Sequence, residues 1–196
     1  MQSRFLALLL ILVALTGGAA DIETFAQRIA PLIDPAKLAT LKSRGANPRV
    51  QKYVAALAEA RTAGLEPSKV AARAVELAGY QEGAATLTIE AMTRNLTIAG
   101  RLGALDAEGI QRMRRGNAAT VRNGPYAKQK LTVDHIIPRA VTPELDNVIA
   151  NLELMPAGLN SAKGKKLGDR QRSLAAKLYG AGLLSRQGLT AIEAKK

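Results

Sequence analysis

The chain holds a single histidine, His135, and the residue types around it are those that phosphodiester hydrolysis requires. Asp134 precedes it, Asn151 follows sixteen residues on, and Asn160 and Lys163 come later. Imidazole has the side-chain pKa nearest neutral pH, which makes His135 the candidate general base. Asp134 and Asn160 offer a carboxylate and an amide oxygen, a donor set that suits a hard divalent cation. Lys163 adds a positive charge for a phosphate. Taken singly, each has a plainer explanation. A histidine beside an aspartate is commonly a surface or capping residue, asparagines suit loops and caps, and lysines suit a solvated face. The case for chemistry rests on their order and spacing.

Those residues need elements to position them. Leu131 and Val133 alternate with Lys130 and Thr132, the period of a half-buried strand. Leu152 and Leu154 flank Glu153 in the same way. Between them, 138–150 carries Pro138 and Pro143 and reads as an irregular loop. Residues 157–166 suit a short helix on which Asn160 and Lys163, three apart, share a face. Neighbours on a flat strand point to opposite sides, so Asp134 and His135 serve one site only where the strand twists or ends. Pro138 predicts an ending.

In this order, Asp134-His135-Ile136-x-Pro138, Asn151-Leu152 and Asn160-x-x-Lys163-Gly164 resemble the HNH endonuclease motif on its ββα-metal fold. The resemblance covers residues 130–166. It implies a His135 base that activates water against a DNA phosphodiester, with RNA as the other polymer to consider. It also implies one divalent ion, magnesium or else manganese, held by Asp134 and Asn160, the latter where many members have a final histidine. Asn151 matches the central asparagine that braces the loop and orients the base. Lys163 matches a basic position of the motif. His135, Asn151 and Lys163 are thus the implied catalytic set. Many relatives carry Cys-x-x-Cys before the last motif residue; here the stretch is Pro156-Ala-Gly-Leu159 and the chain has no cysteine. A cysteine-ligated structural zinc is excluded, and flanking helices must hold the motif in shape.

Formal net charge is +12 over 196 residues. The excess gathers late: residues 1–100 have 11 basic and 8 acidic side chains, residues 101–196 have 17 and 8. Such a balance favours a polyanionic partner. Lys130, Arg139, Lys165, Lys166 and Arg170 surround the motif and are the expected nucleic-acid contacts. With four tyrosines, two phenylalanines and no tryptophan, base stacking is not suggested, and backbone contact is the better expectation. About half of the basic residues near the motif are expected simply to cover helix surfaces.

Residues 1–20 read as a secretory signal peptide: Arg4, an apolar run from Phe5 to Leu15, then small residues up to Ala20. The expectation is a secreted or periplasmic protein with no stable membrane span after cleavage near Ala20. An uncleaved anchor is the alternative, although the run falls short of the ~20 apolar residues a span takes. Residues 21–115 read as helices, with breaks at Pro31 and Pro35 and further helices over 48–63, 67–78, 84–98 and from Asp106. Residues 116–196 form the nuclease region, with Asp169 capping a helix that Gly180 ends and a last one over 185–194. The whole is therefore mainly α, with a C-terminal ββα motif. Two other functions fit the same residues: a nucleic-acid-binding module without cleavage, and a basic helical protein of the cell envelope. Protein partners are not indicated.

Overall fold

The computed structural model describes residues 21–164 and 166–195. The signal peptide expected over 1–20 and the expected contact Lys165 lie outside the described residues. The protein is mainly helical, with one two-stranded antiparallel sheet. Helix α1 covers 21–33, followed by α2 (Pro35–Ala39), α3 (Asn47–Thr62), α4 (Pro67–Leu77), α5 (Glu82–Arg101) and α6 (Ala107–Arg114). Strand β1 (Leu131–His135) pairs with β2 (Leu152–Pro156), and α7 (Ala157–Lys163), α8 (Asp169–Gly180) and α9 (Arg186–Glu193) complete the chain. No described helix is long and apolar enough to cross a membrane.

The first helix departs from expectation. It runs through Pro31 to residue 33 and breaks only before Pro35, where Asp34 is extended and accepts a hydrogen bond from Lys37 N. Ile29 and Ile33 are both fully buried, so core packing offsets the hydrogen bond that Pro31 cannot donate. Asp34 yields instead, because a residue before proline disfavours the helical region. The strand-like Leu87-Thr88-Ile89 lies inside α5, as helical spacing requires. Asp106 caps α6 by accepting from Gly109 N at 2.7 Å. Asp169, by contrast, is the first residue of α8 and not its cap; Gly168 takes that place, and its N–H donates to Gln171 Oε1. Gly180 is the last residue of this helix, as expected, but without a left-handed turn. That conformation falls to Gly182.

Helix α3 lies at the centre and is buried on several sides, more than its stripe of Val50, Val54, Leu57 and Ala58 implied. Ala55, Ala56 and Ala60 make this possible, since small side chains let neighbouring elements approach from other directions. One apolar cluster joins α3, α4 and α5 to Leu131, Val133, Leu152 and Leu154 of the sheet. Packing thus runs across position 115. A second cluster sets Ile137, Leu145 and Ala150 of the inter-strand loop against Ala175, Leu178, Leu189 and Ile192 of α8 and α9.

A two-stranded sheet has two open edges; beside β1, backbone at 119–120 pairs with 130–131, and helix side chains reach both edges. Gln51 Nε2 on α3 donates to Leu131 O at 2.9 Å. On the other edge, Asn95 of α5 accepts from Leu154 N at 2.7 Å and donates to Leu152 O at 3.1 Å and to the Tyr53 hydroxyl at 2.7 Å. One amide replaces a neighbouring strand's backbone. Asn95 is fully buried, so Asn95→Ala strands a β2 N–H and a carbonyl away from water. It is expected to cost about 2–3 kcal/mol in urea unfolding, with a matching fall in transition midpoint. A loss below about 0.5 kcal/mol would show that water replaces the amide.

Candidate active site

Strand register puts Asp134 opposite Glu153 and His135 opposite Leu152. Leu131, Val133 and His135 share one parity and are buried; Thr132 and Asp134 share the other and are half-buried. Helix α7 lies over the second face. Asn160 Nδ2 donates to Thr132 Oγ1 at 3.1 Å, and Lys163 Nζ donates to Asp134 Oδ2 at 2.5 Å and to His135 O at 2.6 Å. Asp134, Asn160 and Lys163 are therefore brought together. Because its amide nitrogen is turned to Thr132, Asn160 keeps its oxygen, Oδ1, as the available donor for a cation.

His135 is the last residue of β1, and its ring turns toward the loop. Nε2 lies 2.9 Å from both the backbone O and Oδ1 of Asp146. Both partners are acceptors, so Nε2 must carry the proton and donate. In the neutral ring, Nδ1 is then left with its lone pair. No described residue hydrogen-bonds to Nδ1. The arrangement is a base with an orienting carboxylate behind it, the general pattern of an activated catalytic pair. Asp146 escaped the sequence reading because it lies in an aperiodic loop, where nothing local marks one polar residue over another.

Asn151 holds that loop. Fully buried, it accepts from Ile137 N at 2.8 Å and donates to Ile137 O at 3.1 Å and Leu145 O at 3.3 Å. Its part is to position the stretch that follows His135. The N-terminal helical region supports the same loop from outside. Arg44 N donates to Asp146 Oδ2, Ala46 N donates to Asn147 Oδ1, and Asn147 Nδ2 reaches Leu41 O and Lys42 O. Residues 41–46 thus form a cradle for the segment that orients the imidazole.

The expected nucleic-acid contacts are spread more widely. Lys130 is exposed at the far end of β1, where its Nζ donates to Thr120 Oγ1 at 3.2 Å. Arg139 donates to the Ser43 hydroxyl and lies 3.8 Å from Asp146 Oδ2. Lys166 is exposed. Arg170 grips Glu153 through both terminal nitrogens, at 2.9 and 2.5 Å, and this bonding raises the pKa of its guanidinium. Of the arginines leading to the site, Arg114 pairs with Glu59 and Arg122 with Asp106 and Glu108, while Arg112 bonds Ala118 O. These three are engaged within the fold.

No group of three or more His, Cys, Asp or Glu side chains is placed to hold a metal among the described residues. One carboxylate and one amide oxygen nevertheless suit a magnesium-like ion, which keeps several waters and leans on substrate phosphate. Asp134 and Asn160 fit that limited requirement; a zinc-type cage is not built here. No family model, curated protein or solved structure matches this chain.

Proposed function

We propose that this chain is a metal-dependent endonuclease that hydrolyses DNA phosphodiester bonds at its β1–β2–α7 unit, with His135 as general base. The observation that carries this reading is the contact of His135 Nε2 with two acceptors of Asp146, one residue after a carboxylate that α7 covers with Asn160 and Lys163. Asp146 holds the ring by Nε2, so Nδ1 is the atom that takes a proton from water. Asn151 keeps the loop in register so that this orientation persists. Asp134 and Asn160 would hold a divalent ion, which when bound supplies Lewis-acid stabilisation of charge on the phosphate and leaving oxygen. A secretory leader over 1–20 would place the enzyme outside the cytoplasm. The test is nicking of supercoiled plasmid by residues 21–196, with magnesium or manganese and with chelator. Cleavage abolished by chelator and restored by metal supports the reading; intact plasmid under every metal condition would sink it.

A second reading has one observation behind it. Lys163 already neutralises Asp134, as in a nucleic-acid-binding module that no longer uses a cation. The Asp134 and Lys163 side chains are only 14% and 17% exposed, so removing the ammonium leaves a largely desolvated carboxylate. Lys163→Met is expected to lose roughly 1–2 kcal/mol of stability in chelator and to recover part of it with millimolar magnesium. Thermal unfolding with and without the ion checks this. A magnesium response no larger than that of the unsubstituted protein would favour the second reading.

A further inference from the structure

Beside the candidate site, between α5 and α8, lies a cavity of about 200 Å³ whose wall includes Arg94, Glu90, Ile136, Arg170, Ser173 and Lys177. Arg94 is its unusual member. Nε and Nη2 are shut off from solvent and find no acceptor among the described residues. A guanidinium carries five donors, and buried charged donors left unmatched are strongly unfavourable. Burial lowers the Arg94 pKa while the field of Glu153 opposes that shift, yet a guanidinium stays protonated at neutral pH.

The nearby carboxylates do not satisfy it. Both oxygens of Glu153 are taken by Arg170, and Glu90 is exposed on the same helix as Arg94. Three cations, Arg94, Arg170 and Lys177, thus face two carboxylates, Glu90 and Glu153. The balance is positive, and planar guanidinium groups match the oxygens of a tetrahedral anion. An arginine with no use here would be better replaced by an apolar side chain, because burying a charge without acceptors favours the unfolded chain. The position is also telling. Ile136 follows His135 directly, and Glu153, which anchors Arg170, stands opposite Asp134 in the sheet.

We propose that this cavity binds one phosphate group of a polynucleotide backbone, flanking the bond cleaved at His135, with the Arg94 side chain turned into it. That the phosphate belongs to a polynucleotide rests on the nuclease reading; that the cavity takes a phosphate does not. Nε and Nη2 are shielded as the side chain stands, so Arg94 supplies its donors by turning into the cavity when the phosphate binds, Lys177 adds the outer charge, and Arg170 keeps Glu153 from competing for the guanidinium.

The test compares the unsubstituted protein with Arg94→Met, Arg94→Lys and His135→Ala, all in chelator so that no cleavage occurs. Thermal midpoints are read in chloride and in inorganic phosphate at equal ionic strength, and affinity for a short labelled duplex by fluorescence anisotropy. Arg94→Met should unfold at or above the unsubstituted midpoint in chloride, lose the phosphate-dependent rise, and bind duplex about tenfold more weakly. Arg94→Lys keeps charge without the fork and should fall between; it also keeps the test alive if the methionine variant does not fold. His135→Ala should bind both probes like the unsubstituted protein. Equal phosphate shifts and equal duplex affinities across the Arg94 series would overturn the site. A loss confined to inorganic phosphate would overturn the backbone assignment. Absence of cleavage elsewhere, with these differences intact, would count against the nuclease reading and leave the phosphate site standing.

Discussion

His135→Ala is expected to lower the rate of plasmid nicking by about 10²–10⁴ while duplex binding and the folded state persist. The size follows from what is removed. Nδ1 is the lone pair that the Asp146 contact leaves available, and among the described residues no second imidazole can take over. The fold should survive at a cost of about 1–2 kcal/mol, because two acceptors of Asp146 lose their donor while its contacts with Arg44 and Arg139 remain. Asp146→Ala should do less harm, on the order of tenfold, because the backbone carbonyl of residue 146 still accepts from Nε2. The pair of variants is informative together. A base oriented by two acceptors degrades in steps, whereas a histidine with a purely structural part would leave nicking unchanged in both. Unimpaired cleavage by His135→Ala would remove the assignment of the base.

Much of this arrangement was legible because it is local. Alternation around Leu131–Val133 and Leu152–Leu154 marked both strands, and Asp106 caps α6 through a side-chain bond three residues long. What stayed hidden depends on residues distant in sequence. Asn95 looks like an ordinary polar interruption of a helix; its partners are 42, 57 and 59 residues away. Gln51 meets Leu131 at a separation of 80. The continuation of α1 through Pro31 is likewise tertiary, since propensity argues for a break and the burial of Ile33 overrides it. Arg94 carried no signal at all: an arginine on a helix reads as solvated until its neighbours are known. The motif was visible as a set of residue types, but the commitment of Lys163 to Asp134 and of Asp146 to His135 is a matter of geometry that spacing alone does not encode.

Asn151 provides the largest expected effect on stability, and the size of that effect depends on which of its atoms donate. Asn151→Ala leaves the Ile137 N–H, the Ile137 carbonyl and the Leu145 carbonyl buried without their partner. At about 1–3 kcal/mol for each stranded group, with partial relaxation, the expected loss is about 3–4 kcal/mol. Asn151→Asp is nearly the same shape and should be worse near neutral pH. Its carboxylate can still accept from Ile137 N, but it faces two carbonyls with no hydrogen to give, in a fully buried position. Burial there raises the carboxyl pKa in the folded state above its unfolded value, so the folded form holds the proton more tightly. The deficit of Asn151→Asp should therefore be smallest at acid pH and grow as pH rises through the unfolded value, roughly 4. Lowering the pH restores a proton that can bond one carbonyl, while Asn151→Ala gains nothing from the change. Urea unfolding of both variants across pH 4–8 separates them: a pH-independent gap between alanine and aspartate would mean that the asparagine acts through its volume and not through its donors.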